Sequence, residues 1–287
     1  MKNIVVFVAA SALLVLASNS AFAQVQTVLD GAYVKEHNAT KRVIPYPHLR
    51  EADVMWATRI WQVIDLRQKM NHSLYYPDEE IEDRKSLFDV IRHALLVEGS
   101  VTAYSLGPTG DDDEFRYPLS PSELDSLLNP KVIRYTEDVD TGDILEVEST
   151  ESIQSRDIIK YQLKEDWIFD KQRSERYVRI IGICPVIEDR TDDGEVRGSG
   201  KPLFWLYFPE CRYVFANWDV FNFHNDAQRR TFEDIFQKRM FGSYITKEKN
   251  VYNRTIQDYA PLGLQALLEA ERIKQDLFVV EHDLWHY

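Results

Sequence analysis

A chain of 287 residues that is 44% hydrophobic and 12% aromatic can bury a large core, which excludes a disordered polymer. Its formal charge of −13 argues against a sequence-tolerant nucleic-acid binder, which needs a basic surface to release counterions. Two cysteines exclude a disulfide framework and a four-thiolate zinc site.

Lys2, the apolar run Ile4–Leu16 and the small residues of Ala21-Phe22-Ala23 form the pattern of a cleaved export signal over residues 1–23. The mature chain is then expected to begin at Gln24, in an exported compartment. No cysteine lies near the cleavage point, so the chain is not expected to be a lipoprotein itself. Residues 24–50 read as an extended arm, because Pro45 and Pro47 bias the backbone away from helix and Gly31 permits a turn. Val43, Ile44, Tyr46 and Leu49 make this arm more apolar than a free tail requires. It is expected to dock, on its own body or on another subunit.

Glu51–Met70 reads as a helix with two apolar stripes, one through Val54, Ala57, Trp61 and Ile64, the other through Trp56, Ile60, Val63 and Met70. A second helix is expected from Leu87 to Glu98, with Ser86 and Asp89 as a capping box and Gly99 as the C-terminal cap. A short strand follows at Val101–Ser105, then a loop at 107–114. Ser120, Pro121 and Glu123 start a short helix that ends by Asn129. The middle of the chain is rich in strands: Lys131–Thr136, Ile144–Glu148, Arg156–Leu163, Glu175–Ile187 and Leu203–Phe215. Pro209 is expected at a bulge, and Glu188–Lys201 in a long charged hairpin loop. Helix returns at Ala227–Phe241, capped by Asp226 and with Phe232, Ile235, Phe236, Arg239 and Met240 inward, and at Pro261–Leu277, with Leu264, Leu267, Leu268 and Leu277 among its apolar positions. This order predicts an α+β fold, with helices at both ends around a mostly antiparallel central sheet and an extended N-terminal arm in front. Residues 51–287 are read as one domain, either undivided or with 243–287 as a peripheral helical segment.

Few residues carry a chemical signature. His282 and His286 are four apart and would share a helix face, but a zinc protease needs a Glu beside the first and a third ligand, and the neighbour is Asp283. Asp138–Asp143 resembles the opening of a calcium loop, yet Gly142 is fifth rather than sixth and Ser149 stands where a Glu is needed. No Gly-x-Ser-x-Gly elbow and no lysine-bearing phosphate loop is present. No catalytic residue, metal or cofactor is therefore expected. Cys184 and Cys211 fall on two strand-like runs joined by a loop, where they either pair as a disulfide or pack as buried thiols. Trp218, Phe221 and Phe223 lie in a strongly aromatic segment that reads as a loop, either core or a protein-binding surface. With Ile44, Pro45, Tyr46 and Pro47 of the arm, they are the candidate partner-binding residues.

Four long stretches carry a resemblance: READVMWATRIWQVIDLRQKMNHSLYYP at 50–77, EDWIFDKQRSERYVRIIGICP at 165–185, PLFWLYFPECRYVFAN at 202–217 and NDAQRRTFEDIFQKRMFGSYI at 225–245. Together they resemble the GldN/PorN family of the type IX secretion and gliding machinery. The resemblance implies a non-enzymatic periplasmic scaffold subunit that self-associates in a ring. Its implied partners are the outer-membrane lipoprotein GldK/PorK and the periplasmic part of the motor protein GldM/PorM, so that membrane contact comes only through partners, at the inner face of the outer membrane. The competing reading is an exported monomeric protein, either a metal-dependent hydrolase using His282 and His286 or a small-ligand binder.

Overall fold

A computed structural model describes residues 41–81, 84–110, 112–137, 144–150, 152–188, 200–222, 225 and 227–284, with backbone alone for 132–137 and 144–149. All of these residues belong to one compact unit, Ala39–Tyr287. The elements, in chain order, are strand β1 (Val54–Asp65), the short helix α1 (His72–Tyr75), α2 (Leu87–His93), β2 (Ala103–Tyr104), α3 (Pro121–Leu128), β3 (Lys131–Glu137), β4 (Ile144–Thr150), β5 (Ile158–Asp170) and β6 (Glu175–Ile187). They continue with β7 (Lys201–Pro202), β8 (Trp205–Tyr207), α4 (Phe208–Asn217), β9 (Asp219–Val220), β10 (Arg230–Thr231), α5 (Phe232–Gln237), β11 (Tyr244–Glu248), α6 (Ile256–Tyr259) and α7 (Gly263–Leu284). Seven strands form an antiparallel sheet in the order β11-β1-β5-β6-β8-β2, with β7 paired to β6. The α+β architecture and the mostly antiparallel sheet agree with the reading of the sequence, and helix dominates the C-terminal end.

The largest departure is the first element. Val54–Asp65 is not a helix but the second strand of the sheet, paired with β5 from end to end and with β11 on its other side. Glu51 and Asp53 belong to a short 3-10 turn ahead of it. The reason is that both faces of β1 are covered. Ile60, Gln62 and Ile64 on one face and Val63 on the other are all buried, so the alternation of a half-buried strand is absent. A run apolar on both sides then satisfies a helical template as well as a strand. The β-branched and aromatic content of the run favours the strand.

The second departure lies at Leu203–Phe215. The chain forms only the short strand β8 and then turns into α4, with Pro209 in the first helical turn rather than at a bulge. Proline suits that position, because its missing N–H would have no partner inside the helix. Cys211 is therefore on a helix, and no hairpin sets it opposite Cys184 of β6. Both thiols are free and buried. Further along, the expected helix 227–241 contracts to α5, which Thr231 caps by accepting from the Asp234 N–H; Asp226 lies outside the described residues. The last helix runs on to Leu284, and β11, which the sequence did not suggest, joins the central sheet. Two caps are as expected: Ser86 accepts from the Asp89 N–H, and Ser120 with Glu123 forms a full capping box. Gly99 closes the helical segment with φ +61°, a left-handed conformation that costs glycine little.

The face of the sheet that carries Ile64, Tyr161, Leu163 and Ile183 packs on α2, α3, α4 and α5 to make the main core. Ile60 is four residues from Ile64 on β1, so it points to the same face, yet it belongs to a second, smaller core with Ile245, Ile256, Ala270, Ile273 and Leu277. Between the two cores lies a polar bridge. The fully buried Glu165 accepts from Arg239 Nη1 at 2.8 Å, Arg239 Nη2 at 3.2 Å and Trp167 Nε1 at 3.1 Å. Ser243 Oγ donates to Gln62 Oε1 beside it at 2.6 Å. On the opposite face residues 106–110 and 112–118 strap the sheet. Phe115 lies against Gly182, where a Cβ would meet its ring at 2.8 Å. Lys164, nearly buried, donates to the Asp113 carbonyl at 2.6 Å, and burial pulls its ammonium pKa down.

Candidate interaction surfaces

The described part of the arm, residues 41–50, is docked on its own body; residues 24–40 lie outside the described residues. Arg212 of α4 is 4% exposed and pairs with Glu233 of α5, donating through Nε at 2.8 Å and Nη2 at 2.6 Å to the same oxygen. Nη2 also donates to the carbonyl of Ile44 at 2.8 Å. The Arg212 guanidinium lies 4.0 Å from the centre of the Tyr46 ring, and Arg179 of β6 approaches the same ring at 5.3 Å while donating to the Pro47 carbonyl. Two cations against one aromatic ring, plus two donors to the flanking carbonyls, fix both the position and the direction of an extended segment. Pro45 and Pro47 lower the cost of holding that segment straight, because their φ is already restricted.

Charge continues along the arm. Lys41 pairs with Asp234 and donates to Thr231 Oγ1 at 3.2 Å. Burial raises the Asp234 carboxyl, but Lys41 and the Thr231 N–H outweigh it and bring it down to about 2. Glu233 moves the other way: burial pushes its carboxyl up against the pull of Arg212, and its second oxygen is buried without a hydrogen-bond partner. Burial also raises the Tyr46 phenol. The arm residues thus divide by role. Tyr46 is held inside the cradle, whereas the Ile44 side chain is 71% exposed and Pro45 and Pro47 are exposed beside it.

The aromatic segment is partly ordered by short pairing, since β9 within it pairs with β10. Trp218 is half-buried, with the Lys85 ammonium 4.6 Å from its ring centre and the His93 ring edge-on at 5.5 Å. Phe221 is exposed, with Arg84 5.0 Å from its ring centre. Phe223 lies outside the described residues.

Of the residues considered for chemistry, the structure describes only part. His282 is on α7 and His286 lies outside the described residues, as does the acidic turn 138–143. Among the described residues, no group of three or more His, Cys, Asp or Glu side chains could hold a metal ion. Among them too, no helix is long and apolar enough to cross a membrane; the expected signal of residues 1–23 lies outside them. A groove of about 760 Å³ runs beside β11, with Trp61, Lys160, Gln162, Tyr244 and Lys247 among its lining. Its wall groups are of mixed charge, with Asp113 and Asp258 beside the two lysines. Burial raises the Cys184 thiol to about 12 and raises Cys211 as well, so neither is a ready nucleophile.

One surface escaped the reading of the sequence. Leu264, Leu267 and Leu268 of α7 do not face inward. The helix buries Ala270, Ile273 and Leu277 instead, and turns the three leucines outward with Phe278 and Val279. A heavier weight on the small residue Ala270 as a close-packing position would have found the buried face.

The described residues thus form an α+β body with residues 41–50 docked on it and with large apolar and aromatic side chains exposed. The chain belongs to the GldN family: residues 49–286 match the description "Gliding motility associated protein GldN". This is a family of gliding-motility components rather than a known family of enzymes. No curated protein is significantly similar to the chain.

Proposed function

We propose that the protein is a non-enzymatic scaffold subunit of the type IX secretion and gliding machinery, working in the periplasm after removal of residues 1–23. In this reading it assembles in a ring with the outer-membrane lipoprotein GldK/PorK, and it couples to the periplasmic part of the motor protein GldM/PorM. Membership of a gliding-motility family over most of the chain is the observation that carries the reading. The geometry supports it in two ways. The arm is fastened by named side chains and leaves Ile44 and the prolines outward, and several large apolar side chains stand exposed on α7 and at Phe221. Such features suit a subunit with neighbours.

The test is gentle solubilisation of the envelope, affinity capture of this protein, and mass spectrometry with electron microscopy of the eluate. Stoichiometric lipoprotein in large rings, with loss of gliding and secretion on deletion of the gene, is the expected result. Capture of a lone chain from an envelope whose rings survive the detergent would refute the scaffold reading.

A further inference from the structure

Exposure along residues 41–50 repeats every third position. Val43, Tyr46 and Leu49 are half-buried, and all the residues around and between them are exposed. A β-strand would alternate every second residue, whereas a polyproline-II helix turns once in three. Two further observations agree. Among the described residues, no backbone–backbone hydrogen bond ties 41–49 to the body, so the segment is not an added strand. Pro45 and Pro47 fix their own φ and restrict Ile44 and Tyr46 before them, so four consecutive residues are biased to this conformation. One ridge of the helix, Val43-Tyr46-Leu49, therefore faces the body. Arg212 and Arg179 hold it through the Tyr46 ring and the carbonyls of Ile44 and Pro47.

A second ridge at the same spacing, Ile44-Pro47-Arg50, faces water. Its six steps cover about 19 Å at 3.1 Å per residue. Residues 41–50 contain Lys41, Arg42 and Arg50 but no Asp or Glu, in a chain whose formal charge is −13. Lys41 pairs with Asp234, but neither Arg42 nor Arg50 has an ion-pair partner among the described residues. This outward ridge thus offers an apolar knob, a proline ring and a free guanidinium, one turn apart. Proline and isoleucine side chains dock between aromatic rings, and a guanidinium beyond them calls for a carboxylate. We propose that Ile44-Pro47-Arg50 is a polyproline-II recognition ridge for an unlike protein chain, whose groove is lined by Tyr or Trp and ends in Asp or Glu. Docking on the body has already ordered the ridge, so the partner binds it with less loss of entropy than it would a free tail. The inference rests on the reading of this protein as a subunit with partners, and gives the chemistry by which one of them is bound.

The test is photo-crosslinking in the intact envelope, with benzoylphenylalanine in place of the exposed His48 of the full exported chain, followed by affinity capture and mass spectrometry of the joined peptides. The expected adduct is with one unlike chain, on a peptide that contains Tyr or Trp with a nearby Asp or Glu. Arg50→Glu should lower its yield about tenfold, while Arg50→Lys keeps most of it. Pro47→Ala, at an exposed position, should lower it too and stays informative if Arg50→Glu misfolds. Tyr46→Ala, which frees the arm, should lower it as well, because the docked ridge is what is recognised. A higher yield in Tyr46→Ala would overturn the proposal in favour of a free tail. So would an adduct with a second copy of this chain, with lipid or with a peptide lacking aromatic residues, or a yield that neither Arg50→Glu nor Pro47→Ala reduces. The absence of any adduct overturns it whether or not the same capture recovers rings. Recovery of rings judges the scaffold reading alone, so the two can fail separately.

Discussion

Replacing Arg239 by Met leaves the Glu165 carboxylate between the two cores without its cation. Glu165 is fully buried, and Arg239 supplies two of the three donors it accepts from; the third is Trp167 Nε1. Methionine keeps most of the aliphatic stem, so the loss is mainly the guanidinium. Breaking a buried ion pair by removing one partner costs about 3–5 kcal/mol. The Arg239 side chain is 33% exposed, so water can reach the vacated space, and Trp167 still donates; the low end, about 3 kcal/mol, is therefore expected. With a slope of ~3 kcal/mol per molar urea, the unfolding midpoint should fall by about 1 M. The double variant Glu165→Leu with Arg239→Met removes both charges and should recover to within about 1 kcal/mol of wild type, because a desolvated pair contributes little net stability. Urea unfolding followed by tryptophan fluorescence measures all three. A loss below about 1 kcal/mol in Arg239→Met, or a double variant no better than the single, would show that the bridge does not behave as a buried charge pair.

Tyr46→Ala should free the arm by removing the ring between Arg179 and Arg212, at a cost of about 1–2 kcal/mol, and limited proteolysis should then cut near residues 41–50 in the variant but not in the wild type. Asp234 titrates lower in the folded state than its ordinary 3.8, so its stabilisation is complete above that value and is lost as pH falls toward about 2. Asp234→Asn should therefore lower stability most near neutral pH, where the wild-type carboxylate is ionised, and its difference from wild type should shrink as pH falls through that window, as acid unfolding of both chains would measure. Burial holds Cys184 and Cys211 as protonated thiols, so a thiol reagent at pH 8 should label neither in the native protein and both in urea; fast native labelling would contradict the packing of β6 and α4.

Where the physics was local, the sequence alone determined the outcome. Ser86 and Ser120 cap their helices, Gly99 takes the left-handed turn, and the long run Glu175–Ile187 is a strand. Each depends on groups within a few residues, such as an orphan N–H, a positive φ or a β-branched run. The family also shows in the order of residues, without reference to their packing. Tertiary structure decided the rest. The apolar spacing of Val54–Asp65 suits a helix as well as a strand until β5 and β11 take its two edges and side chains cover both its faces. Phe208–Asn217 continues an apolar strand until Pro209 and the aromatic core formed by Phe208, Phe215 and Phe236 favour a helix. The Tyr46 cradle draws on residues more than a hundred positions downstream, from β6 and α4. The choice on α7 between an inward and an outward leucine face was also tertiary. It turned on the close approach to Ile60 and Ile245, which the smaller Ala270 side permits. An apolar periodicity tells which residues avoid water; only the neighbours decide which of two apolar faces they cover.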